Sequence, residues 1–149
     1  MPATTELDPV ARFLMLAVRQ RLSLGVMHAQ APADFALMMA AAAGAFALDG
    51  EYAEREVNDR LRAWLAGAGA MIDVDHVELR RWLVDTGVLV RDGFGRAYAR
   101  GTPGAAIASA IDTLSGRDLE AAVRDARAAE SARRDARKAQ WAHKQGSAH

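Results

Sequence analysis

The stretch Glu51-Tyr52-Ala53-Glu54-Arg55-Glu56-Val57-Asn58-Asp59 decides the fold when it is read with Asp75-His76-Val77-Glu78-Leu79-Arg80-Arg81-Trp82-Leu83-Val84-Asp85-Thr86-Gly87 and Gly95-Arg96-Ala97-Tyr98. Glu51–Ala53 is long enough for a minimal strand. Val57, Leu61, Trp64 and Leu65 then recur at helical spacing, with Arg55, Asp59, Arg60 and Arg62 mostly off that face. This predicts a helix over Glu54–Leu65, ended by Gly67 and Gly69. Asp75, with Glu78 three residues on, is an acidic variant of the capping box and starts a second helix. Leu79, Trp82, Leu83 and Val84 supply its inner surface, and Gly87 stops it. Val88-Leu89-Val90 is β-prone, Asp92-Gly93 is a hairpin-turn signal, and Arg96–Arg100 makes the return strand. Strand, helix, helix and hairpin in that order predict a mainly α protein with a winged helix-turn-helix core and a small antiparallel β wing.

Helices flank this core on both sides. Asp8-Pro9 is an N-cap followed by proline at the first helical position. Val10, Phe13, Leu14, Val18 and Leu22 mark one apolar face of a helix that ends before Gly25. Ala31-Pro32-Ala33-Asp34 is a break, with Asp34 as the cap of a helix over Phe35–Leu48 that is apolar nearly all round and therefore central. Gly101-Thr102-Pro103-Gly104 is a linker. Ile107, Ile111 and Leu114 mark a short helix, and Ser115 caps a last one. From Arg117 to Lys144 the chain is alanine and charge, supported by i,i+4 pairs such as Glu120–Arg124 and Glu130–Arg134, and its apolar face fades after Val123. The organisation read from these breaks is an N-terminal helix and linker over 1–32, a winged core over 33–101, and C-terminal helices with a basic tail over 102–149.

Composition narrows the function classes. A chain of 149 residues with 51% hydrophobic content is one ordinary domain with flanking segments. Much of that content is alanine and only 6% is aromatic, so the core is expected to be thin and helix-rich. With no cysteine there are no disulfides, no thiolate catalysis and no Cys-type zinc site, which fits a cytoplasmic location. The N-terminus carries Glu6 and Asp8 with no early basic cluster, unlike a secretory signal. The longest apolar stretch, the 14 residues from Phe35 to Leu48, is too short to span a bilayer. Lys138 and Lys144 are the only lysines among 19 basic residues, an arginine- and alanine-rich bias that fits a GC-rich bacterial genome.

The candidate chemistry is recognition rather than catalysis. A winged fold presents the exposed side chains of its second helix to base edges and its wing to phosphate. The candidate DNA contacts are therefore His76, Arg80 and Arg81 on the helix, with Arg91, Arg96 and Arg100 on the wing. Against this stands a solvated surface on a small interaction domain. Residues 75–101 hold five arginines, but Asp75, Glu78, Asp85 and Asp92 reduce their net charge to +1, and the whole chain is neutral. Arg80 or Arg81 could instead pair with Asp85 or Glu56 and fix helix packing.

The four histidines, at positions 28, 76, 143 and 149, share no ligand-like spacing, so no metal or cofactor is implied. No nucleophile stands beside a readable base, and the chain is expected not to be an enzyme. Met15, Met38 and Met39 read as core filler; a ligand-sensing reading would need a closed apolar cavity near Met38 and Met39. Residues 131–149 carry Arg133, Arg134, Arg137, Lys138 and Lys144 against Asp135, a basic helix expected to fray. Trp141 within it suggests docking, which would make the terminal helices a homodimer contact.

Over about residues 35–100 the chain resembles a bacterial family known as domain of unknown function 2087. Tyr52, Glu54, Arg55, Glu56, Val57 and Asn58 match its first motif. Asp75, Leu79, Arg80, Arg81, Leu83, Val84, Asp85, Gly87, Leu89, Arg91, Gly95 and Tyr98 match the rest. The resemblance implies a transcription-linked role beside helix-turn-helix regulators and supplies no catalytic residues. Three departures stand out. Ala53 replaces a capping threonine, which weakens that helix start by about 1 kcal/mol. Ala99 replaces a tryptophan in the wing. Ala66–Val74 reads as an insertion expected to loosen the helix-turn-helix. The sequence names no effector and no operator.

Overall fold

The computed structural model describes residues 8–94 and 96–146. Seven helices and three strands follow in the order α1 (Pro9–Ala17), α2 (Leu24–Gln30), α3 (Pro32–Ala43), β1 (Glu51–Ala53), α4 (Glu54–Ala66), α5 (His76–Asp85), β2 (Leu89–Arg91), β3 (Ala97–Arg100), α6 (Ala105–Leu114) and α7 (Leu119–Gly146). The strands form one antiparallel sheet in the order β1-β3-β2, with Tyr52 opposite Tyr98 and Val90 opposite Ala99. Helix α3, strand β1, the α4–α5 pair and the β2–β3 hairpin, with the return strand in the middle of the sheet, make the core winged-helix-like and the protein mainly helical.

Helix α3 is the centre. Every residue from Phe35 to Ala43 is buried, because α1, α2, α5 and α6 all pack on it. Alanine at positions 40–43 carries little apolar area per residue but lets neighbouring backbones come close, and α6 makes the most extensive packing against it. One apolar cluster runs from Phe13 through Met38, Leu61, Leu79 and Tyr98 to Val123, so the flanking helices share the core of the winged segment.

The N-terminal helix is shorter than its periodicity predicts. It stops at Ala17. Arg21 takes a left-handed backbone (φ 58°), which costs a non-glycine residue about 1 kcal/mol. Leu22 then pairs with the segment before α5: its amide donates to the Met71 carbonyl at 2.8 Å, and its carbonyl accepts from the Asp73 amide at 2.9 Å. Leu22 is thus apolar for a β-bridge rather than for a helical face. A second helix, α2, starts at Ser23, whose Oγ accepts from the Val26 amide at 3.2 Å.

Three further boundaries move. Pro32 is the first residue of α3 rather than part of a break. Asp34 lies within the first turn, where it forms a two-point ion pair with Arg12 at 2.8 and 2.9 Å instead of capping. The helix ends at Gly44, not Leu48. At the other end, Ser115 terminates α6, while Asp118 starts α7 by accepting from the Ala121 amide at 3.1 Å. The basic tail is a continuous part of α7 as far as Gly146.

Residues 67–74 do not loosen the helix-turn-helix. Ala68, Met71 and Ile72 are buried. The Ala68 amide donates to Glu120 of α7 at 3.0 Å, and Arg127 of α7 donates to the Gly67 carbonyl at 2.8 Å. Leu22 closes the other side. The extra residues are held by elements lying before and after the winged core, which is why their role is invisible in the motif alone.

Candidate nucleic-acid interface

Helix α4 begins without a side-chain cap at Ala53, as its sequence implies; Glu54 and Glu56 in the first turn oppose the positive end of the helix dipole instead. Helix α5 begins at Asp75, whose Oδ1 accepts from the Glu78 amide at 2.8 Å. Its Leu79 and Leu83 are fully buried, so the helix has only one way to face. Gly87 leaves it at φ 80°, a left-handed exit that favours glycine. The hairpin that follows is closed by the Asp92 amide donating to the Ala97 carbonyl at 2.9 Å. Asp92 Oδ1 gathers the loop by accepting from the amides of Phe94 (3.2 Å) and Arg96 (2.9 Å). Asp92 thus organises a loop longer than a two-residue turn; Gly95 lies outside the described residues.

This frame sorts the six candidate residues. Arg81 is exposed on α5, and Arg91 and Arg96 are exposed on the hairpin. Among the described residues, none of these three side chains makes a hydrogen bond or an ion pair. Arg81 and Arg91 share the rim of a polar cleft of about 300 Å³ between α5 and the hairpin, with Val77, Arg80 and Asp85 also on its wall. His76 sits half-buried at the start of α5, with Nε2 3.3 Å from an Arg62 Nη2 of α4.

Arg80 and Arg100 have other work. Arg80 donates to Asn58 Oδ1 and lies 3.7 Å from Glu54 of α4, with its side chain only 20% exposed. It binds the two helices of the pair together. Its partners differ from the two the sequence suggested: Glu54 and Asn58 are four residues apart and so share the face of α4 that meets α5. Arg100 points away from the wing. Its Nη1 donates to the carbonyls of Ala43 and Phe46, both at 3.2 Å, where α3 ends and carbonyls lack helical partners. Burial holds the Arg100 pKa below its ordinary value. Arg60 reinforces the same corner, donating to the Ala45 carbonyl at 2.7 Å and stacking over the Tyr52 ring at 4.5 Å.

Replacing Arg80 therefore acts on stability. Arg80→Ala is expected to lower the unfolding free energy by about 1–2 kcal/mol, because Asn58 and Glu54 lose a charge-assisted partner in a partly buried seam. Urea denaturation checks this, with Arg81→Ala as the control whose midpoint stays at the wild-type value.

The arrangement defines a winged-helix-like domain with a partly basic outer face, bounded by flanking helices. Residues 29–100 match the family described as "Uncharacterized protein conserved in bacteria (DUF2087)", and this part of the chain belongs to that family. No curated protein and no solved structure gives a significant match. No helix among the described residues is long and apolar enough to cross a membrane.

Proposed function

We propose that this protein is a cytoplasmic, non-catalytic bacterial transcription regulator or regulator accessory whose winged core docks double-stranded DNA. The contacts are Arg81 on α5 and Arg91 and Arg96 on the hairpin, with His76 at the helix start. The observation that supports this reading is that these three guanidiniums stand exposed on adjacent elements and uncommitted among the described residues, while Arg80 and Arg100 are bound into the protein. Two adjacent elements carrying free arginines suit the groove-and-phosphate docking of a wing. The interleaved Asp75, Glu78 and Asp85 keep the face modestly charged, so binding should be weak and strongly salt-dependent.

The test is fluorescence anisotropy of a labelled mixed-sequence duplex with the full chain. About three phosphate contacts predict a log–log salt slope near −3. Replacing Arg81, Arg91 and Arg96 together with alanine should abolish binding without shifting the melting temperature. Equal binding by the triple variant, or no binding at low salt, rejects the reading.

Helix α7 favours a second reading, a protein-interaction or homodimer role. Residues 131–146 are all exposed, and Trp141 is 66% exposed. That stretch is about 24 Å of helix beyond the body. Helices in proteins draw most of their stability from packing, and this stretch buries no side chain, so a second helix alongside it that covers Trp141 would stabilise it. Sedimentation at several concentrations should then show a dimer that is lost on deleting 131–149. The cut leaves Val123 and Arg127 in place, because both are part of the body.

A further inference from the structure

A half-open cleft of about 740 Å³ lies between the end of α3, α4, Arg100 at the end of β3 and the turn joining α6 to α7. It falls within the usual size range of small-molecule sites. Its lining is predominantly apolar, with Ala41, Trp64 and Leu114 among the wall residues, and Arg60, Arg100 and Arg117 bring cationic groups to it. Small residues at the end of α3 leave the space open. Met38 and Met39, by contrast, are wholly buried and line no part of it.

The charges in the cleft are unevenly satisfied. Two carboxylates reach it, and both accept backbone hydrogen bonds: Asp118 from the Ala121 amide and Glu120 from the Ala68 amide. Arg60 has Glu56 at 3.5 Å, and Arg117 Nε donates to the Thr113 carbonyl at 3.3 Å. Arg100 has no carboxylate partner among the described residues. Only its Nη1 is hydrogen-bonded, and its buried Nε has no partner. Desolvation lowers its pKa, the direction expected for a cation whose charge the carbonyl dipoles of α3 compensate only in part. Buried charges are ordinarily paired.

We propose that this cleft binds a small carboxylate with an apolar body. The rim arginines receive the carboxylate, and the wall of Ala41, Trp64 and Leu114 receives the body. An anion supplies the opposite charge that Arg100 lacks, and the apolar wall selects against small inorganic anions. The site is independent of the DNA reading, since it shares neither Arg81, Arg91 nor Arg96.

Octanoate is the probe, titrated into the full chain without DNA and followed by two-dimensional amide NMR. The expected result is saturable movement of the Trp64 indole and Gly116 amide signals. Octan-1-ol, which keeps the body and loses the charge, should bind at least about tenfold more weakly, the loss expected when a charge-assisted pair is removed. Arg117→Gln changes an exposed side chain and should weaken octanoate by about fivefold. Arg100→Gln should weaken it further, and Ala45→Leu, which fills the cleft wall, should do the same with every rim charge retained. Far-UV circular dichroism and a cooperative melt confirm that each variant is folded. The proposal is overturned if octan-1-ol binds as tightly as octanoate, if the Trp64 and Gly116 signals do not move, or if Arg117→Gln and Ala45→Leu both bind like the wild type.

Discussion

Gly101→Ala is expected to destabilise the protein by about 3 kcal/mol, at the upper end for overpacking, and to do so without touching any side-chain contact of the core. Gly101 follows β3 and crosses the exit of α5. A Cβ built there falls against the Gly87 carbonyl oxygen and lies 2.7 Å from a Val90 methyl carbon. The carbonyl is backbone and cannot rotate away. The Gly101 amide is meanwhile tied to the Val88 carbonyl at 2.9 Å, and Gly87 sits at φ 80° with the Thr102 carbonyl 3.0 Å from its own would-be Cβ. Two glycines thus let the chain pass itself at the root of the wing. Gly93→Ala is the control: nothing lies within 4 Å of a Cβ there, and its urea midpoint should barely move. If Gly101→Ala unfolds at the wild-type midpoint, this crossing is not as tight as described.

Arg127→Ala is expected to cost about 2–3 kcal/mol, far more than a surface arginine normally contributes. Its Nε donates to the Ala17 carbonyl at 3.0 Å, Nη1 to Gly67 at 2.8 Å, and Nη2 to Ala68 at 3.5 Å. One side chain therefore joins α7 to the end of α1 and to the 67–74 segment. Burial lowers its pKa, while Glu120 nearby opposes that shift. Truncation takes the guanidinium donor from the Ala17 carbonyl and leaves the Gly67 carbonyl with only the Ala70 amide at 3.1 Å, a cost that is largest when these groups stay out of water. Arg124→Ala, one turn earlier on the exposed side of α7, is the comparison. Equal melting temperatures for the two variants would show that the 67–74 segment is held by its apolar residues alone.

Both effects fall at places the sequence does not single out, and the reason is range. The caps, glycine stops and hairpin chemistry act within a few residues: Asp75 meets the amide of Glu78, and Asp92 those of Phe94 and Arg96. Such signals survive in a single chain read by itself. Leu22 misled because an apolar residue at helical spacing is equally apolar in a β-bridge, and its partner stands some fifty positions away at Ile72. Ser115 misled as a helix start for a similar reason: it closes α6, and after the left-handed residue Gly116 it is Asp118 that caps α7. The candidate site shows the same division. Six basic residues could be named, but an arginine's identity says nothing about whether its guanidinium faces water or a carbonyl.

By itself the sequence determined the order of elements through the winged core, the central position of the apolar helix, the bacterial family that the match over residues 29–100 bears out, and the modest net charge of residues 75–101. These rest on local periodicity, capping and composition. Tertiary structure alone decided which cations remain available: Arg81, Arg91 and Arg96 stay exposed, while Arg80 meets Asn58 across 22 residues, Arg100 meets Ala43 across 57, and Arg127 meets Ala17 across 110. A long flexible cation takes whichever acceptor packing brings within reach, and that choice is made only when distant segments close around one core.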